Sequence, residues 1–168
     1  MQNKYKMPPD VRKTVIGIVQ GYERRKIELR RDEENIISLG SGKFETLTNE
    51  KSRGEDKTER AFMPSGKGGK SSAVENQAMR LMDLHNSWDY RCNMAIDKAL
   101  EALPLDSYNP ELARKVREKI LLSCQIGRQF NFDYCGLVGI SRPHFYRLRN
   151  RFLYDVAFRL EYLKNSLK

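Results

Sequence analysis

The sequence predicts an all-α protein, with two long helices that pair and a C-terminal unit of three shorter helices. Three observations carry that prediction. Apolar residues recur at i, i+3, i+4 and i+7 through both halves of the chain, no run alternates with the period of two that a half-buried strand needs, and helix start signals stand where the periodic segments begin.

Residues 1–38 read as an N-terminal arm built on one long helix. Pro8, Pro9 and Asp10 open it, since proline suits a first helical turn and an acid there meets the positive end of the helix dipole. Val11, Val15, Ile18, Tyr22 and Leu29 keep close to a 4-3-4 spacing and Ile36 rejoins the stripe, so the helix is expected to reach about Ser38. Gly17 and Gly21 weaken it by about 1 kcal/mol each relative to alanine. The five cations between Arg24 and Arg31 keep company with Glu23, Glu28, Asp32 and Glu33, which marks a salt-bridged, solvated face.

Residues 39–72 change character. Gly, Ser, Lys, Thr and Glu dominate, and beyond Leu39 at its edge Phe44, Leu47, Phe62 and Met63 are the only sizeable apolar side chains, so this is expected to be a flexible linker. Its GKGGKSS resembles the tail of a phosphate-binding loop, but the first glycine of that pattern would fall at Pro64, and no β-branched strand precedes it. Nucleotide hydrolysis is therefore set aside.

Residues 73–103 form the second long helix. Leu81, His85, Trp88, Cys92, Ala95, Ala99 and Ala102 follow a 4-3-4-3-4-3 pattern, which calls for lengthwise packing against the N-terminal helix or a second copy of the chain. His85 is expected as a core histidine and Trp88 as a core anchor. Pro104 stops the helix.

The third part is residues 109–168. Asn109, Pro110 and Glu111 supply cap, first-turn proline and early acid for a helix with Leu112, Val116, Ile120 and Leu121 on its buried stripe, ending near Gly127. Asn131 to Val138 would be a short supporting helix, Gly139 a tight turn, and Ser141 the cap of a final helix with Pro143 in its first turn. Phe145, Leu148 and Phe152 give that helix one face to bury, while Arg142, Arg147, Arg149 and Arg151 crowd the rest. It is expected to continue through Leu153, Val156, Leu160, Leu163 and Leu167, its distal half VAFRLEYLKNSL forming a docking or self-association surface. Apolar helix, glycine turn, cap and cationic helix is the order of a helix-turn-helix unit.

Charge points the same way. The chain carries a formal net charge of +9, and residues 109–168 hold 12 Lys or Arg against 5 acids, which favours a polyanionic partner. No apolar run approaches the ~20 residues that cross a bilayer, and MQNKYKMPPD lacks the apolar core of a secretion signal, so no membrane contact and a cytoplasmic location are expected. Cys92, Cys124 and Cys135 form no C-x-x-C pair and are expected as free buried thiols, neither a disulfide framework nor a metal site. With no carboxylate cluster, activated nucleophile or ligand spacing, the expectation is a non-enzyme without catalytic residues, cofactor or metal.

The central helix ending in IDKALEAL, the Pro-marked connection, the cationic helix and VGISRPHFYRLRNRFLYDVAFRL together resemble the RinA/ArpU-like phage and prophage transcriptional regulators of Gram-positive bacteria, and also the helix-turn-helix of sigma factors. The resemblance covers roughly residues 73–163 and is best at Gly139, Ile140, Ser141, Phe145, Tyr146, Leu148 and Arg149. Phe130 to Tyr134 departs from it, standing where such proteins often carry an acidic or Thr-Trp-Glu-like start to the supporting helix.

The resemblance implies a sequence-specific regulator that binds double-stranded DNA, an activator of phage late genes, able to contact RNA polymerase and to dimerise through its long helices. Ser141 would start the reading helix, with Arg142, His144, Tyr146 and Arg147 towards base edges and Arg128, Arg149 and Arg151 on phosphates. Each arginine alone is equally well explained as solvated surface; the cluster carries the argument. Two rivals share these features: a small terminase-type packaging protein, which would form a ring, and an RNA-binding helical module, which would need exposed aromatic platforms.

Overall fold

The computed structural model describes residues 5–40 and 69–163, without the side chains at 39–40, 69–73 and 128. Among the described residues the chain is all-α, with six α-helices and two single 3-10 turns: α1 (Pro9–Gln20), α2 (Tyr22–Gly40), α3 (Gly69–Asn86), α4 (Trp88–Glu101), α5 (Pro110–Gln125), turns at Gly127–Gln129 and Phe132–Tyr134, and α6 (Arg142–Arg159). The expected linker falls mainly on 41–68, outside the described residues, but its two edges are helical at Gly40 and from Gly69.

The chain divides into two compact units, one made of Met1–Leu29 with Ser87–Lys168 and the other of Arg30–Asn86. In the first, α6 is the central element, with α1, α4 and α5 packed on it and α1 also packed on α5. Val15 and Val19 from α1, Ile96 from α4, Val116 and Ile120 from α5, and Phe152 from α6 are wholly buried together.

Both long helices expected from the sequence are broken, and each break has a local cause. At Gly21 the ladder yields to Arg25, whose Nη2 donates to the Ile18 carbonyl at 2.5 Å while its Nε donates to Asn93 Oδ1 at 3.1 Å. A Cβ on residue 21 would collide with that guanidinium, so glycine here is a matter of space. Asp89 lies 3.9 Å from Arg25, and the cation is only 7% exposed. Nearby, the Tyr22 hydroxyl donates to Asp97 Oδ1 at 2.5 Å; burial first, then that carboxylate, raise the phenol's pKa, which keeps it protonated and donating. Arg25→Ala would orphan a buried amide oxygen and a carbonyl together. It is expected to lower the unfolding free energy by about 3 kcal/mol, read from urea denaturation.

The second break is at Ser87, whose side chain accepts from Tyr90 N at 3.2 Å and caps α4. The 4-3 spacing across 73–103 thus spans two helices, and only its distal part, from Cys92 to Ala99, is buried. Trp88, beyond that cap, is 47% exposed rather than a core anchor; Tyr162 meets its ring edge-on, with centroids 6.4 Å apart, and Arg91 covers its face. His85 is also exposed rather than a core residue, with Nε2 3.8 Å from Glu33 Oε1.

The unit Arg30–Asn86 contains the distal part of α2 and all of α3. They run antiparallel, since Glu33 faces His85 and, four residues on, the Ile37 carbonyl accepts from Gln77 Nε2 at 3.5 Å. Helix pairing is therefore present, but no described residue of this unit is fully buried.

The largest departure is the expected supporting helix at 131–138. Gly136 and Gly139 take φ of 64° and 89°, Asn131 accepts from Asp133 N at 3.0 Å, and Phe130 and Phe132 both turn onto Phe145, so the segment folds as a 3-10 turn and two bends. Two left-handed glycines and a self-capping asparagine leave no room for an α-helical ladder. The C-terminal unit is thus two α-helices joined by a compact connector, rather than three. Helix α6 also ends earlier than expected, at Arg159: Tyr162 N bonds the Ala157 carbonyl at 3.0 Å and Glu161 N the Phe158 carbonyl at 3.1 Å, with Glu161 at φ 65°. This paired closure turns the chain at Leu160.

Candidate nucleic-acid interface

Ser141 enters α6 with extended backbone (φ −76°, ψ 150°), and its carbonyl accepts from Phe145 N at 3.0 Å while its exposed hydroxyl makes no capping bond. Pro143 fixes the first turn. Phe145 anchors this end of the helix: it is wholly buried, stacked on Phe130 with centroids 5.5 Å apart and touched by Phe132 at 5.3 Å. With that face turned inward, Arg142 and Arg147 project to solvent.

The other sequence-named residues divide. His144 and Tyr146 are half-buried, His144 with Nε2 3.3 Å from the Tyr108 hydroxyl and Tyr146 edge-on to Phe145. Arg151 is half-buried over the Tyr5 ring, 5.9 Å from its centroid, beside a cleft of about 270 Å³ that Tyr154, Asp155 and Phe158 also line. The side chain of Arg128 lies outside the described residues.

Arg149 departs from its expected role on phosphate. Its Nη2 donates to the Ser123 carbonyl at 3.2 Å and its Nε is buried without a partner, so the group closes the C-terminal end of α5. Gln20 from α1 does the same from the other side, its Nε2 lying 3.4 Å from both the Cys124 and Gln125 carbonyls. Those carbonyls are the ones a helix end leaves without internal donors. Arg117 likewise serves α4, donating from Nε to the Leu100 carbonyl at 3.0 Å. Arginines that look alike in sequence therefore do different work.

One contributor was not named from the sequence. Arg12 of α1 donates from Nη2 to Asn150 Oδ1 at 2.9 Å, which brings α1 alongside α6 one turn beyond Arg147. Residues 11–22 and 141–154 contain Arg12, Lys13, Arg142, Arg147, Arg149 and Arg151 and no acid. The available signal was this pair of acid-free stretches, far apart in sequence. What the arrangement can do is hold anions: exposed guanidinium groups at the free end of α6, a second cationic helix at its flank, and no carboxylate on either stretch to compete.

Among the described residues no helix is long and apolar enough to cross a membrane, and no group of three or more His, Cys, Asp or Glu stands together as a metal would require. Cys92 and Cys124 are buried free thiols, whereas Cys135 is half-buried. No protein-family model, curated protein or solved structure matches the chain.

Proposed function

We propose that the chain is a double-stranded DNA-binding transcriptional regulator that meets its site with the N-terminal half of α6. The observation that carries this reading is the exposed, acid-free cationic end of that helix, with Arg142 and Arg147 free to reach bases or phosphates and Arg12 and Lys13 on the adjoining helix. Arg142 and Arg147 are the readers in this proposal; His144 and Tyr146 border them, Arg151 contacts phosphate at the edge, and Arg149 holds the fold. Activation of phage late genes and a contact with RNA polymerase rest on the resemblance of residues 73–163 to the RinA/ArpU-like regulators alone.

The proposal includes a second copy paired through Arg30–Asn86. A two-helix hairpin that fully buries no described residue and leaves Ile37, Val74, Met79 and Met82 at least half exposed gains little from folding by itself. Selection of bound duplexes from a random library, repeated with Arg142→Ala and Arg147→Ala, tests the function. A defined motif that relaxes in both variants supports a sequence-specific regulator, whereas salt-sensitive binding with no motif removes it.

A further inference from the structure

The connector ahead of α6 carries the two most exposed large apolar side chains described in the chain, Tyr134 at 88% and Val138 at 86% exposure. They are held outward by design of the backbone around them. Leu137 and Ile140 are buried as anchors, Ile140 N bonds the Leu137 carbonyl at 3.3 Å, and the Cys135 thiol donates to the Asn131 carbonyl at 3.2 Å. Gly136 and Gly139, both with positive φ, make the bends that alternate anchor and projection. Phe130 and Phe132 face inward onto Phe145, so Tyr134 is the aromatic of this connector that faces out.

Four residues after Val138 α6 begins at Arg142, and from Tyr134 to Tyr154 no acid occurs, Asp133 being the one acid of the connector. An open aromatic ring on the segment that leads into the exposed Arg142 fits a nucleobase with its phosphate: the ring takes the base by stacking and the cations at the start of α6 take the charge. In an intact duplex the base faces are occupied by their neighbours. Stacking on Tyr134 therefore becomes available only where a base has left the stack, at a bulge, a mismatch or an opened step.

We propose that Tyr134 is a stacking platform for an unstacked base, so that the interface formed with Arg142 and Arg147 prefers distorted duplex DNA to regular duplex. This rests on the DNA-binding reading above and adds the kind of DNA to it.

The test uses the full chain and three probes: a regular duplex, the same duplex carrying a single bulged 2-aminopurine, and single-stranded RNA of the same sequence. The bulged duplex is expected to bind about tenfold more tightly than the regular one, with quenching of the 2-aminopurine as it stacks. Tyr134→Ala should abolish the advantage and the quenching while leaving regular-duplex affinity unchanged; Tyr134→Phe should keep both. Equal affinity for the two duplexes, or an advantage that survives Tyr134→Ala, overturns the platform and leaves the DNA reading standing. No binding to the regular duplex overturns the DNA reading itself, and tighter binding to the RNA than to either duplex assigns the surface to single strands instead.

Discussion

Phe145→Ala is expected to lower the unfolding free energy by about 3–5 kcal/mol, the range for emptying a wholly buried aromatic site. The surroundings of this ring make collapse around the gap difficult. Phe130 lies parallel to it at an interplanar angle of 9°, Phe132 crosses it at 49° and Tyr146 meets it at 82°, so three aromatic neighbours lose their common contact at once. Residues 127–140 have no helical ladder of their own and take their position largely from these rings. The variant should therefore also lose amide protection across that connector before α4 and α5 lose theirs, which hydrogen exchange followed by mass spectrometry can resolve. A cost below about 1.5 kcal/mol, with the connector still protected, would mean that something other than Phe145 holds it.

The second large effect separates arginines two residues apart. The double variant Arg142→Ala, Arg147→Ala should weaken binding to the selected duplex about a hundredfold, taking each good arginine contact at roughly tenfold, with unfolding unchanged because both side chains are exposed. Arg149→Ala should do the reverse. It removes the donor to the Ser123 carbonyl and should cost about 1–2 kcal/mol of stability, while the folded fraction binds DNA as before. Equal losses of affinity from Arg147→Ala and Arg149→Ala would contradict the division of labour drawn from the structure. Binding titrations and urea melts on the same preparations decide between these outcomes.

What could be read from the sequence was what local chemistry decides. Asn109 and Pro110 start α5 as expected, with Asn109 Oδ1 accepting from Glu111 N at 2.9 Å, and Pro143 stands in the first turn of α6 where the turn signal ends. The Phe145, Leu148, Phe152 face is buried as its spacing requires. Periodicity failed where a cap or a side chain from elsewhere interrupts a helix inside an apparently regular apolar spacing. Ser87, followed two residues later by Asp89, was a visible start signal inside an apparently continuous stripe. The bend at Gly21 was only half visible: the glycine was apparent, but the guanidinium that occupies its missing Cβ space comes to rest there through Asn93, 68 residues beyond Arg25.

The candidate interface divides along the same line. Arg142 and Arg147 could be chosen because exposure on an amphipathic helix follows from which face is apolar. Arg149 could not be excluded that way, since its partner is the end of another helix, and no periodicity within α6 reports where α5 stops. Tyr134 was missed for a related reason: an expected supporting helix would have given its neighbours a regular facing, whereas two left-handed glycines set it outward.

Helix α1 closes the core against α6, the last described helix. Arg12 reaches Asn150 across 138 residues and Gln20 reaches the end of α5 across more than 100, so these contacts form only after α5 and α6 have been made. During synthesis the Val15 and Val19 face of α1 must wait uncovered while α2 to α5 emerge, and refolding must close a very long loop before that face is rewarded. An early need to shield α1 from other chains follows from where the first and last described helices meet.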